Sequence, residues 1–493
     1  MQSLKKIISA DQTRATDAYT IKNEPIASID LMERASQCFV SEIESYLNPN
    51  QNIAVICGSG NNGGDGLAVA RILMWKGFDV QPFLCRIGSQ LSPDCKLNSE
   101  KIDNIEFITS NDELPKLDQF DIIIDALFGS GLTRPITGWP AEIVAAINNS
   151  EAKVYSIDIP SGMFCDDLPQ VDHIVKADLV VSFQRPKLSF FFPESSDFIH
   201  EWKVTDIGLD ESFIQSTTSN YFLLDECIRK KLKSRKRYSH KGTYGHALIV
   251  AGSRGKMGAS VLCSRACLRS GVGLVTIHTP DCGLDILQTS NPEAMCSIDC
   301  HSYHICTVPD LKNYKSIGMG PGIGLAKETK EALEDLLRKA DVPIVLDADA
   351  LNILASEKRL LQLLPRDTIL TPHPKEFERL AGTWDTSMER LEKQIAFSKR
   401  YDCIVVLKDA HTVITDAEGS IYINTSGNPG MATGGSGDVL TGIITGLAAQ
   451  GYSPLQSALI GVYYHGNAGD KAINTKGMNA LIASDLVDFL RIE

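Results

Sequence analysis

The stretch Asn428-Pro-Gly-Met-Ala-Thr-Gly-Gly-Ser-Gly-Asp-Val-Leu-Thr-Gly442 joins a glycine-rich turn to an apolar run that continues to Ala449. The apolar run predicts a buried helix, and glycines in the turn free the backbone to bend. Unpaired N–H groups and the helix dipole both attract anions, so the turn predicts an anion site. Asp438 beside such a site suits a base that faces a hydroxyl group during phosphoryl transfer. The alternative is an ordinary helix cap.

Strands and helices alternate throughout the second half of the chain. Strands are predicted at 246–252, 274–278, 316–320, 343–347, 367–371 and 404–407, with a helix at 259–270 and a loop after 347. This alternation predicts a parallel, doubly wound α/β sheet that binds ligands at its carboxyl edge. His373 and Lys408 follow two of the strands, and with Asp438 they indicate nucleotide-dependent phosphoryl transfer. Each of the two residues alone has an ordinary structural explanation.

The first half reads as a second doubly wound α/β unit. Helices are predicted at 28–47, 67–76 and 141–148, and strands at 52–57, 80–85, 120–127, 153–159 and 179–183. The pattern breaks after 206, and we place the boundary near 215, which gives domains 1–215 and 216–493. The basic run Arg229–Arg237 predicts a solvated helix face rather than a binding patch.

Three strand-end loops of the first half carry oxygen-rich side chains. Asn61, Asn62 and Asp65 stand among five glycines, Asp125 ends an apolar strand, and Asp158 and Ser161 end another. A buried carboxylate needs a cation or hydrogen-bond donors. Oxygen ligands without His or Cys suit a hard cation. The alternative is that these acids cap turns and helices.

Composition excludes several function classes. The chain has 493 residues, 43% of them hydrophobic and 22% charged, with a net charge of −13. These values predict a soluble protein without a nucleic-acid or membrane partner. Its 13 cysteines are scattered, which favours reduced thiols and a cytoplasmic location. Cys296, Cys300 and Cys306 lie near two histidines without a known zinc spacing. We expect a homo-oligomer.

Together these motifs resemble one family along nearly the full chain. The second half resembles ribokinase-like enzymes, and the whole chain is similar to the bifunctional NAD(P)H-hydrate repair enzymes. The matching stretches are 31–35, 58–66, 125–131, 158–162, 240–245, 318–324, 346–352, 371–376 and 428–442. The resemblance implies an N-terminal Rossmann-like epimerase domain and a C-terminal ADP-dependent dehydratase domain.

The resemblance also implies roles for individual residues. In the epimerase, NADHX or NADPHX would bind Asn61, Asn62, Gly63, Gly64, Asp65, Gly129, Ser130, Gly131, Leu132, Thr133, Arg134, Pro135 and Asp158, and K+ would bind Asn62, Asp125 and Ser161. In the dehydratase, the hydrate would bind Ala259, Gly324, His373 and Asp438, and ADP with Mg2+ would bind Lys408, Asp409, Ala410, His411, Thr412 and Gly437. Asp438 and Asp158 would be the catalytic proton-transfer groups.

One residue departs from the family pattern. Asp409 stands where the family usually has glycine after the lysine. Either its carboxylate turns outward or it weakens nucleotide binding. Two other functions stay open on the residues: a ribokinase-like small-molecule kinase, and an N-terminal half that only binds its ligand.

Overall fold

The computed structural model describes residues 4–88, 90–168 and 172–493, and the chain divides into two compact units. One is Lys6–Ser219, and the other is Asn220–Glu493 together with Leu4 and Lys5, so that the short strand β1 (Lys5–Lys6) begins in the second unit. The sequence placed the boundary after 215. The division follows Ser219 because helix Glu211–Ser216 belongs to the first unit, whose core includes the fully buried Ile214.

The first unit contains a seven-stranded sheet in the order β4-β3-β2-β5-β6-β7-β8, with every neighbouring pair parallel. Its strands are β2 (Asn52–Cys57), β3 (Asp79–Cys85), β4 (Glu106–Ile108), β5 (Ile122–Ala126), β6 (Lys153–Ile157), β7 (Ala177–Phe183) and β8 (Ile199–Thr205). Its helices are α1 (Ala10–Asn23), α2 (Ser28–Ile43), α3 (Asn61–Trp75), α4 (Pro93–Ser99), α5 (Trp139–Asn149) and α6 (Glu211–Ser216). The chain reverses its direction across the sheet between β2 and β5. Such a switch point leaves a crevice at the carboxyl ends of the two strands.

Strand β2 shows that both faces of this sheet are covered. Ile53 and Val55 pack into one apolar cluster, whereas Ala54 and Ile56 pack into another. Successive side chains of a strand point to opposite faces, so each cluster lies on its own side of the sheet. The predicted doubly wound fold is confirmed for this unit.

Helix α3 begins earlier than the sequence predicted. It starts at Asn61 inside the glycine-rich stretch, whereas the pattern placed its start at 67. A side chain at Gly63 would overlap the carbonyl of Gly58, and one at Gly66 would overlap Ala126. The glycines therefore form the first turns of a helix that lies directly against the strand ends.

The second unit contains an eleven-stranded sheet in the order β1-β9-β18-β17-β16-β15-β14-β13-β10-β11-β12. Its other strands are β9 (Tyr221–Leu224), β10 (His246–Val250), β11 (Leu274–Thr279), β12 (Met295–Ile298), β13 (Ser316–Met319), β14 (Ile344–Leu346), β15 (Thr368–Leu370), β16 (Cys403–Leu407), β17 (Val413–Thr415) and β18 (Ile421–Asn424). Its helices are α7 (Met257–Arg269), α8 (Leu284–Ser290), α9 (Lys327–Lys339), α10 (Ala348–Ser356), α11 (Pro374–Ala381), α12 (Ser387–Tyr401), α13 (Ser436–Ala449), α14 (Pro454–Lys476) and α15 (Ala483–Phe489). Strands β10 to β16 pair in parallel, whereas β17 is antiparallel to both of its neighbours. The direction of winding reverses between β10 and β13.

Helix α13 is the buried helix that the apolar run predicted. Every residue from Val439 to Ala449 is buried. Gly435, with φ +93°, is the N-cap, so Asp438 is the third residue of the helix and not its cap. A side chain at Gly442 would overlap the carbonyl of Cys263, which shows how closely α13 packs on α7.

Two local predictions in this unit were wrong. Residues 348–350 begin helix α10 instead of a loop. The basic run is largely exposed, as predicted, but it is not a helix face, because a 3-10 turn ends at Lys231 and no helix follows through Arg237. No helix in the described ranges has both the length and the apolar character needed to cross a membrane.

Candidate active sites

A cavity of about 470 Å³ lies at the switch point of the first unit. Its walls come from the loop between β2 and α3, the loop after β5, and helix α1. Eight residues that the sequence assigned to a substrate site line it: Asn61, Asn62, Asp65, Gly129, Ser130, Gly131, Leu132 and Asp158. Five others do not appear among its described lining residues: Gly63, Gly64, Thr133, Arg134 and Pro135. The two glycines are buried in the first turn of α3.

Helix α1 contributes side chains to this cavity that the sequence analysis missed. Thr13, Arg14 and Asp17 line it and share one face of the helix. Burial, with the nearby charge of Asp158, raises the pKa of Asp17 to about 6. The only sequence feature that could have indicated these cavity residues was their spacing of three or four positions in a helix that has no apolar stripe.

Asp158 occupies a strained position at the end of β6. Its φ is +66°, which is unusual for a residue other than glycine. Its Oδ1 lies 2.7 Å from Nζ of Lys187, a residue only 4% exposed, and accepts from the Phe183 N–H at 2.9 Å. Burial opposes the charge of Lys187, but the Asp158 carboxylate raises the pKa of this lysine. The ion pair with Lys187 thus holds in place the Asp158 carboxylate, which lines the cavity.

Asp65 is a second buried acid in this cavity. Burial raises its pKa well above the ordinary value, and the charges of Asp158 and Asp17 add to this effect. A protonated carboxyl group can donate a hydrogen bond, which an ionised one cannot. The cavity therefore combines an ion-paired carboxylate with two acids whose pKa values are raised.

The three residues proposed as cation ligands lie together beside this cavity. Oδ2 of Asp125 accepts from the Ser156 hydroxyl and the Ser161 N–H, both at 2.8 Å, and Oδ1 accepts from the Ser161 hydroxyl at 2.5 Å. The carbonyl of Phe128 lies 3.1 Å from both Asn62 Nδ2 and Ser161 Oγ. Asp125 thus already has donors, and the converging oxygens also fit a hard cation.

In the second unit, Asp438 lies in the first turn of α13 among other acids. Its carboxylate has no hydrogen bond among the described residues. Burial raises the pKa of Asp438 to about 7, with a further increase from Asp347 that Lys408 partly offsets. A carboxylate with a pKa near neutrality is suited to general-base chemistry.

Lys408, just after β16, and Asp347, just after β14, form an ion pair that also contacts α13. Lys408 Nζ lies 2.9 Å from Asp347 Oδ1, and the Thr441 hydroxyl donates to Asp347 Oδ2 at 2.8 Å. Burial opposes the charge of Asp347, but Lys408 holds its pKa below the usual range. A Cβ added at Gly437 would lie 3.1 Å from Lys408 Nζ, so this lysine reaches the glycine turn. The sequence analysis missed the role of Asp347, although it noted the strand end.

The remaining predicted dehydratase residues surround the same sheet edge. Asp349 Oδ2 accepts from the Gly324 N–H at 2.9 Å and lies 3.1 Å from Lys256 Nζ, one turn before Ala259 on α7. His373 caps α11 through Nδ1 and is 46% exposed. Burial and Lys408 lower the pKa of His373, so it stays neutral at pH 7.

Asp409 turns its charge toward another side chain. Its Oδ2 lies 2.7 Å from Nη1 of Arg390 on α12, and its Oδ1 accepts from the Ala410 N–H. Arg390 is 12% exposed, so this ion pair is partly shielded from solvent. The sequence left open whether this carboxylate turns outward or weakens nucleotide binding. The structure shows that it pairs with Arg390, whose charge offsets its own.

The first turn of α13 has a buried support that no sequence pattern indicated. Nε2 of His465 on α14 lies 3.0 Å from the Ser436 carbonyl. Burial lowers the pKa of His465 to about 4, so the neutral ring donates to this carbonyl. The turn beside Asp438 is thereby fixed.

Comparison with known proteins was informative for both units. The family described as NAD(P)H-hydrate dehydratase matches residues 247–491, and the family described as YjeF-related protein N-terminus matches residues 28–189. The bifunctional NAD(P)H-hydrate repair enzyme of Moorella thermoacetica is 35% identical over 98% of this chain and 96% of its own length. That of Escherichia coli is 32% identical over 94% and 88%. The structure of a Bacillus subtilis ADP/ATP-dependent NAD(P)H-hydrate dehydratase, co-crystallised with ATP and Mg2+, is 32% identical over 54% of this chain and 94% of its own, with a TM-score of 0.48.

Proposed function

This chain belongs to the family of bifunctional NAD(P)H-hydrate repair enzymes, and we propose from that premise how its two units divide the repair. The first unit interconverts the R and S epimers of NADHX and NADPHX. The second dehydrates the S epimer to NADH or NADPH with ADP, releasing AMP and phosphate. The observation that carries this assignment is Asp438, a base with a pKa of about 7 at the glycine turn of α13.

Asp438 starts the dehydration by accepting a proton from the hydroxyl at C6 of the hydrated ring. The hydroxyl oxygen then forms a bond to the terminal phosphorus of ADP, and the bond from that phosphorus to AMP breaks. The lone pair of the ring nitrogen expels the new phosphate, a far better leaving group than hydroxide. Loss of a proton from the neighbouring ring carbon restores the double bond.

The glycine turn and Lys408 hold the phosphates during this transfer. The first N–H groups of a helix have no partner inside it and can bind phosphate oxygens. Lys408 reaches the turn near Gly437, and the loop to Thr412 leads away from it toward β17. The proposed hydrate contacts are Ala259, Gly324 and His373, which lie on loops and helix ends of the same sheet edge.

Mg2+ fits the acidic surroundings of the same turn. The charges of Asp347, Asp349 and Glu376 all raise the pKa of Asp438, although burial is the largest cause. Carboxylate and phosphate oxygens are the ligands that Mg2+ prefers. When bound with the nucleotide, the ion would neutralise charge on the transferring phosphoryl group.

In the first unit, Asp158 transfers the proton during epimerisation. Lys187 keeps this residue oriented at the cavity wall through the 2.7 Å ion pair. Asn62, Asp125 and Ser161 would hold K+, since the Ser161 hydroxyl contacts both the Asp125 carboxylate and the Phe128 carbonyl, and the Asn62 amide contacts the same carbonyl. The bound ion would fix the loop after β5, which forms one wall of the cavity.

The test uses the purified chain with a mixture of NADHX epimers, K+, Mg2+ and either ADP or ATP. We expect reduced nicotinamide to return completely, with ADP at least as effective as ATP. With the S epimer alone, the rate should rise with pH up to about 7 and then level, because Asp438 acts in its ionised form. Accumulation of a stable phosphorylated hydrate would contradict the proposal and favour a small-molecule kinase.

A further inference from the structure

Two cysteines of the second unit lie in contact outside the candidate site. Sγ of Cys300 is 3.1 Å from Sγ of Cys306, in the loop that follows β12. Cys300 is exposed and Cys306 is partly buried. A disulfide requires a separation of about 2.05 Å, so the sulfur atoms need to approach by only about 1 Å.

A single buried carboxylate holds the two ends of this loop together. Asp299 is 4% exposed, and its Oδ2 accepts from the N–H groups of Cys306 and Thr307 at 3.0 and 2.9 Å. Its Oδ1 accepts from the His301 N–H at 2.9 Å and from the Cys306 thiol at 2.8 Å. The backbone is therefore already closed where a disulfide would close it, and little conformational entropy is left to lose.

The surroundings give the two thiols different roles. Burial and the hydrogen bond to Asp299 raise the pKa of Cys306 to about 12, so Cys300 rather than Cys306 supplies the thiolate that attacks an oxidant. Cys300 is open to solvent and meets an oxidant first. This arrangement of an accessible thiol beside a second, resolving thiol is typical of redox-sensitive pairs.

We propose that Cys300 and Cys306 form a reversible disulfide on exposure to hydroperoxides. The Cys300 thiolate attacks the peroxide, which forms an S–O bond, breaks the O–O bond and, with hydrogen peroxide, releases water. The Cys306 sulfur then attacks the oxidised sulfur, and its proton leaves with the hydroxyl as a second water. The two thiols are oxidised, the peroxide is reduced, and a small dithiol reverses the reaction.

The disulfide would stiffen a segment that borders the loop before α7. The carbonyl of Tyr303 accepts from the Arg254 N–H at 2.9 Å, and the Arg254 guanidinium lies 4.7 Å from the centre of the Tyr303 ring. Amide hydrogen exchange in residues 299–307 is therefore expected to slow on oxidation. This expectation does not depend on the proposed activity.

The test treats the full reduced chain with hydrogen peroxide, blocks free thiols with N-ethylmaleimide and maps peptides by mass spectrometry. We expect a loss of about 2 Da, no alkylation at Cys300 or Cys306, and recovery of both thiols with dithiothreitol. Cys300→Ser and Cys306→Ser should each abolish the change. The control Cys296→Ser, on the neighbouring strand β12, should retain it.

Two results would overturn the proposal. One is oxidation of Cys300 to sulfinic or sulfonic acid while Cys306 stays free. The other is one equivalent of Zn2+ bound by Asp299, Cys300 and Cys306, with both thiols then resistant to peroxide. Ligand atoms of these three residues lie within 4.8 Å of one another, so a zinc titration belongs in the same experiment.

Discussion

Asp438 is the residue on which the proposed dehydration depends. Asn has nearly the same volume as Asp but cannot accept the hydroxyl proton. We expect Asp438→Asn to lower the dehydration rate by about 10²–10⁴. The fold should survive, because Asp438 is not the helix cap and a buried charge near Asp347 is removed.

Recovery of reduced nicotinamide from the S epimer measures this effect. Epimer interconversion, followed by chromatography in the same preparation, is the control and should be unchanged. Normal dehydration by the variant would mean that another group is the base.

We expect Arg390 to keep the affinity for ADP high by neutralising the negative charge of Asp409. Arg390→Ala removes the partner 2.7 Å away and leaves an uncompensated carboxylate on the nucleotide loop. We expect the Kd for ADP, measured by calorimetry, to rise about three- to tenfold, on the order of 1 kcal/mol. The double variant Arg390→Ala/Asp409→Gly should restore it. Equal affinities in all three proteins would place Asp409 away from the phosphates.

At the scale of elements, the contact between α13 and α7 should be sensitive to single atoms. Gly442→Ala forces a methyl group onto the Cys263 carbonyl, and overpacking of this kind costs about 1–3 kcal/mol or more. Gly434→Ala is the matched control, because an added Cβ there meets nothing within 4 Å. Urea unfolding followed by circular dichroism should separate the two variants. Similar midpoints would show that α13 and α7 adjust without cost.

The junction of β5, β6 and the loop after β5 depends on Asp125. Asp125→Ala leaves the Ser161 and Ser156 donors without their acceptor, at a cost of about 1–3 kcal/mol for the first unit. We expect K+-dependent epimerisation to be lost while dehydration of the S epimer continues. The exposed Asp118→Ala is the control. Epimerisation that keeps its rate and its K+ dependence would limit Asp125 to a structural role.

At the scale of the whole molecule, Leu4 and Lys5 belong to the second unit although the first unit follows them in the sequence. Leu4 is 7% exposed and packs into the same apolar cluster as α13 and α14. We expect Leu4→Ala to lower the stability of the second unit by about 1–2 kcal/mol, less than for a fully buried leucine because Leu4 keeps some exposure to solvent. Thermal inactivation of dehydration, compared with that of epimerisation, measures this. Loss of both activities together would show that the units unfold as one.

The expected homo-oligomer stays a prediction.

The sequence by itself determined the fold class, the family and most strand positions, because apolar runs and glycine patterns are local. It also singled out Asp125 at the end of a strand, Asp158 just after another and Asp438 at a glycine turn before a helix, since such positions bind ligands in α/β folds. It misjudged the start of α3, because a run of glycines usually indicates a turn. Here the glycines lie in the helix, where the neighbouring strand ends are too close for larger side chains.

Only the tertiary structure decided which distant groups meet. Asp17, Lys187, Asp347, Arg390 and His465 lie far in sequence from their partners, and no periodicity connects them. The tertiary structure also decided which acids are charged at neutral pH. Asp438 is partly buried and Asp347 fully buried, yet burial raises the pKa of Asp438 to about 7, whereas Lys408 keeps the pKa of Asp347 low. Solvation and neighbouring charge are properties of a site in space, so the sequence alone could not assign them.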